Sequence, residues 1–270
     1  MPVESNTSPV VDGTGSRGAG EVAFSVKNLQ KRYGEIEALR GVTLQGRYGE
    51  VVGLVGDNGA GKSTFCKLLS GAEAPSGGSV TIGGQGIHVF NPRVAARAGV
   101  GTVYQNIPLA LHVSIADNLF MGSELVKRPR PLGIRRMDRR TMEEQATSAL
   151  DAVGVHVDAH RLARALSGGQ RQAVAVARMI LFSRSVVLMD EPTAALSAEN
   201  RARVDRAIRG LVERGAAVLV VGHNLPEVLE VADRVVVFRL GRVVADLRAS
   251  EASVQQLLEL MSGVSELAPQ

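Results

Sequence analysis

The sequence predicts an α/β fold built on a parallel sheet. Three observations predict it. Short apolar runs of strand length alternate with helical stretches. One such run, residues 50–55, passes straight into a glycine-rich loop and then a helix. Another, Val186-Val187-Leu188-Met189-Asp190, ends in a carboxylate that Glu191 follows.

The elements follow in order. Residues 1–20 are rich in Gly, Ser, Thr and Pro and read as a disordered tail. Residues 23–26 and 41–44 read as short strands, and residues 50–55 as a buried one. The helix that begins at Lys62 stops near Gly71, a residue suited to a helix end. Residues 79–82 followed by Gly83-Gly84 read as a strand and turn. Asn91-Pro92 has the form of an N-cap with proline at the first helical position. Residues from about 106 to 180 read as mostly helical, with caps at Ser114 and Asp138. Strands return at 185–189, 216–221 and 234–238, and Gly241 marks a hairpin into 243–245. There is no internal repeat, so the strand, glycine loop and helix unit occurs once.

Composition narrows the class. Hydrophobic residues are 45% of 270, enough for a sizeable core, yet aromatics are 3% and Trp is absent, so that core is aliphatic. One cysteine, Cys66, excludes an internal disulfide and fits a reducing compartment. No apolar stretch approaches the roughly 20 residues that cross a bilayer. A net charge of +4 is too small to imply nucleic acid. The basic stretch at 127–140 reads first as a solvated face, and second as a contact with a membrane surface or a membrane partner.

The glycine loop carries the chemistry. Gly56-Asp57-Asn58-Gly59-Ala60-Gly61-Lys62-Ser63-Thr64 satisfies G-x-x-x-x-G-K-[ST] between a strand and a helix. Glycines let backbone N–H groups turn toward phosphate oxygens, and the helix start adds donors and a positive dipole end. Lys62 then contacts the β- and γ-phosphates and Ser63 ligates Mg²⁺. Asp190, at a strand end beside this loop, also holds Mg²⁺. Glu191 is free to orient or deprotonate an attacking water.

A second glycine segment, Leu166-Ser167-Gly168-Gly169-Gln170, opens the helical run that follows it. One nucleotide needs one cradle, so the second serves the nucleotide of another copy of the chain.

With these residues in view, the chain after residue 21 resembles the ATP-binding cassette (ABC) family, whose signature is Leu-Ser-Gly-Gly-Gln. The resemblance implies a P-loop NTPase (RecA-like) core with an antiparallel β subdomain and an inserted α-helical signature subdomain, within a single ATPase domain over residues 21–265. It implies that Ser167, Gly168, Gly169 and Gln170 act in trans across a head-to-tail dimer that sandwiches two ATP. It also implies roles for three more residues. Tyr33 stacks on adenine, Gln105 senses Mg²⁺ and water and links to the membrane partner, and His223 contacts the γ-phosphate. His156 and His160, four apart, lack an evident third ligand and are read as structural.

Departures from the family pattern narrow the subfamily. Glu191-Pro192-Thr193 leads to Ala194-Ala195-Leu196-Ser197, without the usual aspartate, and His223 is followed by Asn224 rather than Asp. With Asp57-Asn58, Val103-Tyr104-Gln105-Asn106 and Ser114-Ile115-Ala116-Asp117-Asn118-Leu119, these resemble importers of monosaccharides of the ribose, xylose and fructose class. That resemblance implies a peripheral subunit on the cytoplasmic face of the cell membrane. Its partners are permease subunits and, indirectly, a periplasmic sugar-binding protein, and no nucleic acid is involved. Import of another small solute, and a soluble ABC ATPase outside transport, remain the alternatives.

Overall fold

Two sheets of different character meet beneath the glycine loop. The computed structural model describes residues 20–103, 109–127, 136–182, 185–192 and 198–264. The first sheet is antiparallel. β1 (Val22–Tyr33) and β2 (Ile36–Arg47) form a hairpin, while β3 (Val51–Val55) leaves for the second sheet. β4 (Gly77–Ile82) and β5 (Gln85–Ile87) complete the order β2-β1-β4-β5.

β1 and β2 run to 12 residues each, well beyond the short strands expected at 23–26 and 41–44. The reason is local. Register shifts interrupt the β1–β2 pairing at four places, and Asn28 sits at φ 48 inside one of them, so the side chains lose strict alternation. Period-two reading fails where bulges intervene.

The second sheet has the order β10-β9-β3-β8-β7-β6. β6 (Val100–Val103), β7 (Val186–Asp190), β8 (Ala217–Val221), β3 and β9 (Arg234–Arg239) pair in parallel; β10 (Arg242–Arg248) returns antiparallel on β9 through the turn at Gly241. Every residue of β3 and β8 is buried, as expected of parallel strands covered on both faces. The chain reaches β3 at the centre, later fills the strands on one side, and then places β9 on the other. The ligand side of such a sheet is the carboxyl end, beside that reversal.

Eight α-helices are described. They are α1 (Lys62–Leu69), α2 (Pro92–Arg97), α3 (Ile115–Phe120), α4 (Arg139–Ala152), α5 (Gly168–Phe182), α6 (Ala198–Glu213), α7 (Leu225–Val231) and α8 (Val254–Ser262). The expected caps form. Asn91 accepts from the Val94 N–H at 2.9 Å, Ser114 from Asp117 at 2.9 Å and Asp138 from Thr141 at 3.4 Å. The expected tail, residues 1–20, lies outside the described residues except for Gly20.

Alternate residues of the parallel sheet divide between two cores. Val187, Met189, Val218 and Val220 pack with Leu150, Val174, Val176 and Ile208 from α4, α5 and α6. Val186, Leu188, Leu219 and Val221 pack instead with Phe65, Leu68 and Leu69 of α1 and with Phe24 of β1. Burying each such side chain contributes about 1.5–3 kcal/mol. α1 and α5 therefore lie on opposite faces of one sheet. Arg234 ties the sheets together. It donates to the Glu50 carboxylate at 2.7 Å, to Asp246 at 2.6 Å and to the Gln45 carbonyl at 2.7 Å.

Candidate functional site

The site begins where β3 ends. Gly56 and Gly61 sit at φ 148 and 108, in backbone conformations closed to ordinary side chains. Space forbids substitution as well: a Cβ on Gly56 would fall 2.2 Å from the Phe238 carbonyl oxygen, and one on Gly61 would fall 2.9 Å from that of Ala38. The Gly241 N–H donates to the Ala60 carbonyl at 2.9 Å, and the Arg40 N–H donates to Gly241 at 2.8 Å, so the β9–β10 turn holds the loop against β2. α1 then starts at Lys62 with no side-chain cap and no acid in its first turn. An anion is the natural occupant of such a helix start.

Lys62 folds back over the loop. Its Nζ donates to the carbonyls of Gly56 at 2.6 Å and Asp57 at 3.0 Å. Burial lowers its pKa, against the opposing charges of Asp57, Asp190 and Glu191. Cys66, one turn along α1, is buried, and that burial pushes its thiol up to about 12.

Asp190 ends β7, paired opposite Val221 of β8, and Glu191 follows it. Burial first, and then the charge of Glu191, raise the Asp190 carboxyl above the usual range, while Lys62 pulls the other way. Glu191 itself is left-handed at φ 48, and its N–H donates to the Val221 carbonyl at 2.9 Å. Its carboxylate stands 3.1 Å from Nδ1 of His223, which follows β8. The oxygen donors Ser63 and Asp190 suit a hard cation such as Mg²⁺, which keeps waters and phosphate oxygens in its shell. Among the described residues no group of three or more His, Cys, Asp or Glu side chains could hold a metal.

Tyr33 ends β1. Its hydroxyl donates to the Glu73 carboxylate, and Lys31 lies over one face of the ring, 4.9 Å from its centre. The residue is 41% exposed. Burial first, and then Glu73, raise its pKa, and the Thr64 hydroxyl beside it lowers it. Glu73 in turn takes Lys31 and Lys67 at 3.2 Å each. Tyr33 therefore joins the loop residues 56–64.

The second glycine segment lies elsewhere, at the start of α5. Ser167 and Gln170 form a reciprocal capping box: the Ser167 N–H donates to the Gln170 side chain at 3.0 Å, and the Gln170 N–H donates to the Ser167 hydroxyl at 3.3 Å. Gln170 thus has a local task that the sequence reading missed, although Ser-x-x-Gln spells it. Gly168 is different from Gly56 and Gly61. Its backbone is helical, and a Cβ there would meet nothing within 4 Å. Nothing among the described residues requires glycine at that position.

Gln105 and residues 193–197, including the Ala194-Ala195-Leu196-Ser197 departure, lie outside the described residues. Of the basic stretch, the ends are seen: the Lys127 N–H donates to the Arg136 carbonyl at 2.9 Å, and Val126 and Met137 form an antiparallel bridge. His156 pairs with Asp151 at 2.8 Å and His160 with Glu143 at 3.3 Å, so the two histidines face different acids.

A family model described as ABC transporter matches residues 39–194. The chain is 40% identical over 252 residues to the fructose import ATP-binding protein FrcA of Rhizobium meliloti, covering 92% of this chain and 96% of that one. It is 36% identical over 240 residues to the xylose/arabinose import ATP-binding protein XylG of Sulfolobus acidocaldarius, covering 88% and 93%. It is also 40% identical over 243 residues, 90% of its length, to ribose import ATP-binding protein RbsA 3 of Rubrobacter xylanophilus, but spans only 48% of that protein. Among solved structures, an ATP-binding cassette of an ABC transporter in its ADP conformation superposes with TM-score 0.74 at 24% identity, over 89% of this chain and 95% of that one. A dimeric cassette bound to ADP and phosphate superposes with TM-score 0.70 at 25% identity, over 84% and 98%.

Proposed function

We infer the function from one premise: the chain belongs to the ABC transporter family. It is the ATP-binding, ATP-hydrolysing subunit that powers import of a monosaccharide through a separate membrane permease. The sugar assignment is supported by the fructose and xylose/arabinose import relatives, which match it nearly end to end. No helix among the described residues is long and apolar enough to cross a membrane, and on this reading the permease supplies the transport path. On this reading residues 21–265 form one ATPase domain, with the helical subdomain at about 106–180. It binds the permease at the cytoplasmic face of the membrane, and a periplasmic sugar-binding protein acts through that permease.

The active sites are composite, and Gly168 is the observation that carries this reading. The phosphate loop and the signature sit on helices packed on opposite faces of one sheet, and the crowding that demands glycine at Gly56 and Gly61 is absent at Gly168. A bare, helical glycine with open space before it suits a second copy's nucleotide. Two chains closed head to tail place each signature, Ser167 to Gln170, against the other's γ-phosphate.

Within each site the 56–64 backbone and Lys62 bind the phosphates, and Lys62 exchanges its two carbonyl partners for phosphate oxygens. Tyr33 offers its open ring face to adenine. Ser63 and Asp190, with Gln105, hold Mg²⁺, which when bound neutralises charge on the β- and γ-phosphate oxygens. Glu191 takes the proton of the attacking water as the bond from the γ-phosphorus to the ADP oxygen breaks. His223, held beside Glu191, contacts the γ-phosphate. Hydrolysis replaces one bound polyanion with two that repel, and the dimer reopens.

The test is co-purification with the permease and measurement of ATP turnover across a panel of sugars with their binding protein. Stimulation by a monosaccharide is expected. Stimulation only by another solute class, or by nucleic acid, would overturn the substrate assignment.

A further inference from the structure

Asn224 stands where the family more often has aspartate, and its surroundings account for the difference. It opens α7 directly after His223, yet its side chain makes no cap to the helix backbone. Its Nδ2 instead donates to the Glu227 carboxylate at 2.7 Å. An aspartate there has no proton to give and would set a second negative charge against Glu227. The same Glu227 oxygen accepts from Arg201 of α6, also at 2.7 Å. Among the described residues the buried Arg201 Nε has no hydrogen-bond partner, and Nη1 carries the contact to Glu227.

These contacts tie α6 and α7 to the turn that carries His223. α6 follows the segment that carries Glu191, and α7 follows His223. Glu191 and His223 meet at one end, 3.1 Å apart. Arg201 and Glu227 meet at the other, and Asn224 links Glu227 back to the residue beside the histidine. Both members of the pair sit in loops past strand ends, where backbone geometry alone does not fix a side chain. We propose that Glu227 is a positioning residue for the His223–Glu191 pair, locking the turn that carries His223 to the helix that follows Glu191 through hydrogen bonds from Asn224 and Arg201.

The bland alternative is an ion pair between two helices. A partly exposed pair of that kind changes stability by about 0–1 kcal/mol and leaves turnover alone. A positioning role acts on kcat, because small displacements of a catalytic group cost up to about 100-fold. The proposal rests on the catalytic roles assigned above to Glu191 and His223.

The test uses the full chain with MgATP, measuring kcat and KM for ATP, affinity for a non-hydrolysable ATP analogue, and thermal melting. Glu227→Ala and Asn224→Asp should each lower kcat by roughly 10- to 100-fold, with KM and analogue affinity within about twofold. Arg201→Ala should behave likewise, and Arg201→Lys, which keeps a donor, should recover most of the loss. Wild-type kcat in a folded Glu227→Ala, or a loss shared equally by KM and analogue affinity, overturns the proposal. Should Glu227→Ala fail to fold, Asn224→Asp and the Arg201 pair decide it. Glu191→Gln is measured alongside. If it hydrolyses ATP normally, the underlying catalytic assignment fails; if it is inactive while Glu227→Ala is normal, only the positioning role fails.

Discussion

Nδ1 of His223 lies 3.1 Å from the carboxylate of Glu191, joining the loops that leave two neighbouring parallel strands. Glu191 is also held by its own N–H bond to Val221 and by a left-handed backbone. A carboxylate held by His223 on an anchored backbone is suited to take a proton at a defined point. Glu191→Gln keeps the shape and removes the base. It should retain ATP binding and slow turnover by about 10²-fold or more. Phosphate release and analogue binding measure the two, and normal hydrolysis would falsify the assignment.

Gly168→Ala separates folding from assembly. The added methyl enters open space at the start of a helix. Alanine is favoured there over glycine by roughly 0.5–1 kcal/mol, so the melting temperature should hold or rise. ATP binding to the protomer should persist while hydrolysis and ATP-dependent dimerisation fall. Size-exclusion with MgATP and a turnover assay give the readout. Unchanged turnover would mean the signature never approaches a nucleotide.

Glu73 gives stability an acid limb. The Tyr33 hydroxyl first, and then Lys67 and Lys31, depress its carboxyl from 4.5 to about 2. A carboxylate whose folded pKa lies below its unfolded one adds stability in full above 4.5, and that stability fades as pH falls toward 2. The wild type should therefore exceed Glu73→Gln in stability at neutral pH, and the gap should shrink across that window. Urea unfolding at several pH values measures it. A gap independent of pH would remove the linkage.

Asn118 is 3% exposed and satisfies the backbone around it. It accepts from the Ala110 N–H at 2.8 Å and donates to the carbonyls of Ala110 at 3.0 Å and Ser114 at 2.9 Å. Asn118→Ala leaves the Ala110 groups without that partner, at a cost of about 1–3 kcal/mol for each buried group left unmade. Denaturant unfolding should show it. A change under about 0.5 kcal/mol, the scale of ordinary surface substitutions, would mean water replaces the amide.

What the sequence discloses depends on how local the cause is. The glycine loop, the Asp190-Glu191 strand end, the caps at Asn91, Ser114 and Asp138, and the Gly241 hairpin are each written in a few adjacent residues, and each forms. The extents of β1 and β2 are not, because bulges at Asn28 and nearby break the alternation. β5 has three residues and β6 four, too few to show a period. At the site, the contiguous motifs are legible, and Tyr33 falls beside Thr64 of the loop. The Arg201–Glu227 contact spans 26 positions and exists only because the tertiary fold brings these two side chains within reach. Asn224 was the visible trace of it, a local departure whose reason lies in tertiary structure.

The enclosed thiol of Cys66 has a practical consequence. It is the chain's one sulfhydryl, it is buried, and its pKa near 12 leaves almost no thiolate at neutral pH. The native chain should thus be inert to maleimides. A cysteine introduced at position 168 or 264 would then take a fluorophore selectively, without first removing Cys66, and distances between two labelled copies would report their approach and separation through a turnover cycle.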